Sequence, residues 1–397
     1  MNCFKKIYCR IFQGCFHLAI PVLPYRDPKI LDSIDKLPEE FSKRGIKKVL
    51  LVTDSVIRAL TGKLEKLLPQ NGIECIVYDK TNPNPTVSNI EEALSLYINE
   101  KCEALIGFGG GSSIDCAKAV GARAACPRKS LEKMKGILKI HRRIPLLAAI
   151  PTTAGTGSET TVTTVITDDK THYKYPISDF PLIPKIAVLD PKVTFTLPPH
   201  LTASTGMDAL THAVEAFIGG STVKKSRDYA IRATQLIFEN IEKAYKNGTD
   251  ETARRNMLIA SNLAGGAFSR SYVGYVHAVA HSLGGAYNIP HGLANTVLLP
   301  VVLKRYDSKI WKKLKILAVA GGIADKTDST EDAAKKFIDE ICRLNKAMQI
   351  PETLKGIKKE DIPELAKRAD KEANPIYPVP VLWNAKELEQ FYYDVME

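Results

Sequence analysis

Residues 104–118 read ALIGFGGGSSIDCAK. A continuous apolar run that breaks into glycines and then takes up helical spacing is a buried strand turning into a helix. Three adjacent glycines, Gly109, Gly110 and Gly111, let a backbone approach phosphate closely. The free N–H groups at the helix start, aided by the helix dipole, would then face the anion. Ser112 is the expected cap of that helix. The spacing is not G-x-G-x-x-G, and many α/β chains turn on glycine, so this loop needs support from its surroundings.

That support lies on both sides. Residues 47–54 (KKVLLVTD) and 74–79 (ECIVYD) read as strands, and residues 57–68 and 89–100 have helical spacing. Residues 145–153 (PLLAAIPTT) and 185–190 (KIAVLD) continue the alternation. Such a pattern implies a parallel sheet covered on both faces. A second loop of small residues, Thr152, Thr153, Ala154, Gly155, Thr156, Gly157 and Ser158, follows another of these strands. It offers hydroxyls and unobstructed amides. Two such loops at the C-terminal ends of parallel strands fit a ligand lying across the sheet edge. Asp54 ends an earlier strand, where it can cap a turn. Within a dinucleotide site it would instead accept hydrogen bonds from the adenine-ribose diol and repel a 2′-phosphate, favouring NAD over NADP.

After about residue 198 helical periodicity dominates, in 208–218, 229–245, 253–268 and 331–345. The proline-bearing stretch 190–199 (DPKVTFTLPP) is the expected hinge. The chain has eight histidines, and this half holds a cluster of them. Asp208 and His212 are spaced i, i+4 and share a helix face. His277 and His281 stand one turn apart, and His291 sits at a break between Pro290 and Gly292. Each alone is unremarkable. Together, one Asp and up to four His on different helices can converge inside a bundle. One carboxylate with three imidazoles suits Fe²⁺ or Zn²⁺ rather than Ca²⁺ or Mg²⁺. Ala278 stands where a zinc protease H-E-x-x-H would carry glutamate, which argues against a zinc peptidase.

The 397 residues are enough for two domains. At 45% hydrophobic and 25% charged, the composition is that of an ordinary globular protein. The formal charge is +11, but Lys and Arg are scattered, which argues for a solvated basic surface over nucleic-acid binding. None of the eight cysteines forms a C-x-x-C pair, consistent with a reducing cytoplasm. Residues 1–24 mix Lys5, Lys6 and Arg10 with Phe4, Ile7, Tyr8, Ile11 and Phe12. A helix there is basic and amphipathic. Packing on its own protein is the expected fate, with contact to a membrane surface as the alternative.

The stretches LLVTDS (50–55), NPNPT (82–86), GFGGGSSIDCAK (107–118), IPTTAGTGSE (150–159), GMDALTHAVEA (206–216) and GYVHAVAHSLGGAYNIPHGLANTVLLP (274–300) resemble the iron-containing (group III) alcohol dehydrogenases. The likeness runs from about residue 37 onward. It implies the dehydroquinate synthase-like architecture: an α/β dinucleotide-binding domain over 31–197, after an extension over 1–30, and an all-helical metal-binding domain over 198–397. It implies metal ligands at Asp208, His212, His277 and His291, with His281 beside nicotinamide and substrate instead of on the metal. It implies cofactor contacts at Asp54, Asn84, Gly110, Gly111, Ser112, Ser113, Asp115, Thr152, Thr153, Thr156, Thr161 and Lys174, and a substrate pocket lined by Thr163 and Phe268. The chain departs from the family's usual opening pair of strands, carrying YRDPKILDSI at 25–34 instead.

The activity so implied moves hydride between a small primary alcohol or diol, its oxygen on a divalent metal, and NAD(H). His281, the one nearby non-ligand group expected to titrate around neutrality, is the candidate proton relay. A homodimer is the family expectation. A polyol dehydrogenase resembling glycerol dehydrogenase, or a phosphate-eliminating lyase resembling dehydroquinate synthase, would share the fold. The fourth ligand position at His291 favours the alcohol dehydrogenases, and no cluster of basic residues for phosphate stands near the ligands.

Overall fold

The computed structural model describes residues 1, 3–170 and 173–397. The chain divides into two compact units, one of residues 24–197 and one joining residues 1–23 to 198–397. The chain opens with helix α1 (Cys3–Ala19), which belongs to the second unit.

The first unit is built on six strands: β1 (Lys29–Leu31), β2 (Lys48–Val52), β3 (Glu74–Tyr78), β4 (Ala104–Gly109), β6 (Leu146–Pro151) and β9 (Ile186–Val188). They lie in the order β1-β9-β6-β4-β2-β3, and every pairing is parallel. Alternate residues of β2 point to opposite faces. Leu50 and Val52 join the core beneath α4 (Val87–Asn99) and α5 (Gly111–Ala125). Val49 and Leu51 join the core of α2 (Leu37–Ser42) and α3 (Gly62–Gln70). Both faces are therefore dry, which is why these strands read as unbroken apolar runs. A capping box between Thr86 and Asn89 starts α4.

The sequence pattern did not announce β1 or a second sheet, which follows the short helix α6 (Leu131–Met134). Its strands β5 (Gly136–Ile137), β7 (Thr163–Thr167) and β8 (Lys174–Ser178) lie in the order β5-β8-β7. They are short or partly exposed, so their apolar signal is weak. The stretch at 25–34 supplies β1, which pairs with β9.

The second unit is helical: α7 (Pro199–Ile218), α8 (Lys224–Lys246), α9 (Glu251–Ser271), α10 (Tyr275–Tyr287), α11 (His291–Tyr306), α12 (Trp311–Ala320), α13 (Thr330–Ala347), α14 (Ile362–Ala373) and α15 (Ala385–Val395). The centre is α7, buried almost all round and packed against α8, α9 and α11. In turn, α10 packs on α11 and α14. Asp250, Ser329 and Asn384 cap α9, α13 and α15. Residues 190–199 hold a 3₁₀ turn (Pro191–Thr194) and the first residue of α7. Among the described residues no helix is long and apolar enough to cross a membrane.

Candidate functional site

In the sheet unit, the chain runs from β2 out to β3 and then returns to β4 on the other side of β2. The crevice beyond the carboxyl ends of β2 and β4 is thus a topological switch point, where open parallel sheets bind ligands. Asp54 stands just past β2, and Gly109 ends β4. The Ser113 hydroxyl donates to Asp54 Oδ2 at 3.1 Å, across the crevice. Asp54 Oδ1 accepts the N–H groups of Val56 and Ile57 at 3.0 and 3.2 Å. Asp54 therefore also serves as a turn residue.

Helix α5 is capped by Gly110, which offers no side-chain bond. This corrects the expectation for Ser112. The helix begins at Gly111, so the serine falls inside its first turn, where its hydroxyl accepts the Asn84 N–H at 3.2 Å. Asn84 is held at φ 58° and accepts Lys174 Nζ at 2.6 Å. The Thr152 N–H donates to the Gly109 carbonyl at 3.0 Å, joining the two small-residue loops. A Cβ on Gly111 would lie 2.9 Å from Thr156 Cγ2, and one on Gly110 would lie 3.6 Å from Thr153. Asp54, Asn84, residues 110–113, residues 152–156 and Lys174 are thereby linked in one region.

Asp115, Thr161 and Thr163 are engaged differently. Asp115 Oδ2 accepts the Val165 N–H at 2.8 Å, bracing α5 against β7, and burial raises its pKa. Lys118, which the sequence did not single out, donates to the Thr161 carbonyl and hydroxyl, both at 2.9 Å, and to the Thr163 carbonyl at 2.8 Å. Its burial lowers its pKa to about 8. The available signal was a lysine inside the small, apolar run CAKAVGA. The Thr163 hydroxyl lies 2.9 Å from that of Ser178.

In the helical unit, α7 carries Asp208 and His212, α10 carries His277 and His281, and α11 opens on His291. Asn288 in the left-handed conformation ends α10, and the chain turns back through Pro290. The turn closes tightly because residue 292 is glycine: a Cβ there would sit 2.7 Å from the Ser204 carbonyl oxygen of α7. One ligand atom each from Asp208, His212, His277 and His291 lie within 4.8 Å of one another. Asp208 Oδ1 is 3.6 Å from His291 Nε2 and 3.9 Å from His277 Nε2. The Phe268 ring stacks on His212 at 4.3 Å.

These residues fit a metal ion. His277 Nε2 is buried and has no hydrogen-bond partner, so its lone pair points into the cluster. One oxygen and three imidazole nitrogens are donors for a divalent transition ion. Burial and the neighbouring imidazoles hold the His277 pKa well below its ordinary value, so the ring is neutral as a ligand must be.

Two supporting residues escaped the sequence reading. Glu215, one helical turn beyond His212 on α7, is 2.6 Å from His277 Nδ1. It also accepts the N–H groups of Gly274 and Val276, both at 2.8 Å. Burial pushes its carboxyl up to about 7, while the N–H donors pull the other way. Gly274 is required here, because a Cβ would lie 2.6 Å from Glu215 Oε1. Asn295 donates to Asp208 Oδ1 at 2.7 Å and lies 3.0 Å from His291 Nε2. The only sequence signals were the spacings, Glu215 at i+3 from His212 and Asn295 at i+4 from His291. His281 turns elsewhere: its Nδ1 is 2.6 Å from Glu372, its side chain is 41% exposed, and its ring stacks on His291.

A parallel sheet open at its switch point and a buried oxygen-and-imidazole cluster are the two halves of a metal-dependent dehydrogenase, an oxidoreductase. The model of the iron-containing alcohol dehydrogenases matches residues 31–191, and that of the C-terminal part of the same family matches residues 202–396. The chain belongs to the iron-containing alcohol dehydrogenase family. It is 39% identical over 385 residues to 1,3-propanediol dehydrogenase of Citrobacter freundii, covering 95% of this chain and 98% of that one. It is 37% identical over 331 residues to the NAD-dependent methanol dehydrogenase of Bacillus methanolicus, covering 82% and 86% of the two chains. The crystal structure of a 1,3-propanediol oxidoreductase matches with a TM-score of 0.90 and 36% identity, covering 94% of this chain and 99% of that one.

Proposed function

We propose that this protein interconverts a small primary alcohol or diol and its aldehyde with NAD(H) in the cytoplasm, as a homodimer. Residues 31–197 would form the dinucleotide-binding domain, and residues 198–397 the metal-binding domain. The observation that carries the reading is the group of Asp208, His212, His277 and His291, the first three buried, with His277 Nε2 left without a hydrogen-bond partner.

Asp208, His212, His277 and His291 would hold a divalent ion, Fe²⁺ first and Zn²⁺ next. When bound, the ion supplies Lewis acidity that favours an alkoxide, and NAD⁺ supplies the hydride acceptor. Glu215 keeps the proton on His277 Nδ1, and so keeps Nε2 free for coordination. Asn295 steadies the Asp208 carboxylate. His281, bonded through Nδ1 to Glu372 and reaching solvent, would carry the alcohol's proton away. Phe268 and Thr163 would line the substrate pocket. Gly110, Gly111, Ser112, Ser113, Thr152, Thr153 and Thr156 would receive the pyrophosphate region, with Asn84, Asp115, Thr161 and Lys174 around it. Asp54 would select NAD. The names of the relatives, which act on 1,3-propanediol and methanol, support a short substrate.

The test is anaerobic purification, loading with Fe²⁺, and measurement of NADH absorbance with a panel of short alcohols and diols. NADP⁺ and a Zn²⁺-loaded sample run beside it. Metal-dependent NADH formation supports the reading. No turnover with any alcohol or aldehyde, despite stoichiometric metal and bound NAD, refutes it.

A further inference from the structure

The helix α1 is held to its unit by its polar side together with Cys9 and Phe16, whose ring lies 4.8 Å from that of Tyr272, and not by its main apolar stripe. Gln13 Nε2 donates to the carbonyls of Pro375 and Tyr377, at 3.2 and 2.7 Å. Arg10 donates to the carbonyls of Val379 and Pro380, at 2.7 and 2.9 Å. Lys5 pairs with Asp370 at 3.0 Å. Cys9 and Gln13 are the buried residues of the helix. The opposite face is apolar and open to water: Phe4 is 84% exposed, Ile7 51%, Tyr8 58%, Ile11 60%, Phe12 40% and Leu18 78%. Their spacing of three, four and seven residues puts them in one continuous stripe. Val22, in the 3₁₀ turn that follows, is 83% exposed. A stripe of large apolar side chains turned outward from a folded body is an interaction surface.

Charge indicates what covers it. The helix contains no Asp or Glu. Lys6 is exposed, and Arg10 meets only uncharged oxygens, those of Gln13, Val379 and Pro380. Placed on a helical wheel, Lys5 lies at one edge of the stripe and Arg10 beyond the other, while Lys6 lies on the far side of the helix. The chain as a whole carries a formal +11. Two copies meeting through this face would bring like charges together. Anionic headgroups would compensate them while the apolar stripe entered the acyl boundary.

We infer that the outward face of α1 docks this protein on the surface of an anionic lipid bilayer. The helix lies in the plane of the interface, with Phe4, Ile7, Ile11 and Leu18 inserted and Lys5 and Arg10 toward headgroup level. The helix, with three basic residues among its seventeen, is not long and apolar enough to cross a membrane, so the attachment is peripheral and reversible.

The test is flotation of the metal-loaded, full-length protein with vesicles of phosphatidylcholine alone or mixed with phosphatidylglycerol. The protein is expected to float with the mixed vesicles, less so as salt rises, and weakly with phosphatidylcholine alone. The combined variant Phe4→Ser, Ile7→Ser, Ile11→Ser and Leu18→Ser is expected to lose binding by about tenfold or more. Its metal content and NADH production should be unchanged, which shows that the unit is folded. Wild-type protein that stays unbound with phosphatidylglycerol overturns the inference, as does equal binding by the fourfold variant. Sedimentation showing a larger wild-type species that the fourfold variant lacks, with no vesicle binding, assigns the face to a second copy and also overturns it.

Discussion

Glu215 accepts the N–H groups of Gly274 and Val276, and its other contact is His277 Nδ1 at 2.6 Å. A carboxylate in that place sets both the tautomer and the direction of the His277 imidazole. Glu215→Gln keeps the size of the side chain but presents an amide, whose NH₂ group cannot accept. It is expected to weaken metal binding about 10–100-fold, measured by competition with a chelator. Affinity equal to wild type would reduce Glu215 to a packing role. The two histidines of α10 are expected to separate cleanly. His277→Ala should lose metal and activity together. His281→Ala should slow turnover while metal content, measured by elemental analysis, stays at the wild-type level. Metal loss in the second variant would contradict the relay role.

At the scale of elements, Lys118 joins α5 to the start of β7 through three oxygens contributed by Thr161 and Thr163. Burial lowers its pKa from an ordinary 10.5 to about 8. Between those values the unfolded chain binds a proton that the folded chain does not. Stability therefore rises with pH across that window. The urea midpoint of the wild type is expected to rise from pH 8 to pH 10 relative to that of Lys118→Met, in which this contribution is missing. Parallel midpoints for the two proteins would show that the lysine stays charged in its site. The helix α1 carries a different lesson. Its amphipathic pattern was legible, yet the pattern alone suggests that the apolar side packs inward. The structure turns that side outward, because Arg10 and Gln13 find backbone carbonyls between Pro375 and Pro380.

For the whole molecule, an ion held by Asp208, His212, His277 and His291 would be a source of stability as well as of chemistry. A ligand that binds only the folded state stabilises it by about 4 kcal/mol at a thousandfold excess over its Kd. Chelation followed by calorimetry is expected to lower the melting transition by several degrees. Restoring Fe²⁺ or Zn²⁺ should recover it. A protein stripped of metal that melts like the loaded one would show that Asp208, His212, His277 and His291 hold no ion tightly.

The strand and helix alternation, the change of texture near residue 198 and the Asp208–His212 pair were set by the sequence alone. Each rests on local periodicity, and periodicity is written along the chain. So was the family, because GMDALTHAVEA and the stretch 274–300 keep chemistry-bearing residues at fixed short spacings. Tertiary structure decided the rest. His277 and His281 look equivalent in sequence, one turn apart on α10. Only the fold sends one toward Asp208 and the other to Glu372, 91 residues away. Glu215 gains its meaning from a partner 62 residues on, and the contact across the β2/β4 crevice joins Asp54 to Ser113, 59 residues apart. The second sheet and the outward face of α1 belong to the same class. They depend on which surfaces meet, and a one-dimensional pattern specifies which residues share a face but not what that face will meet.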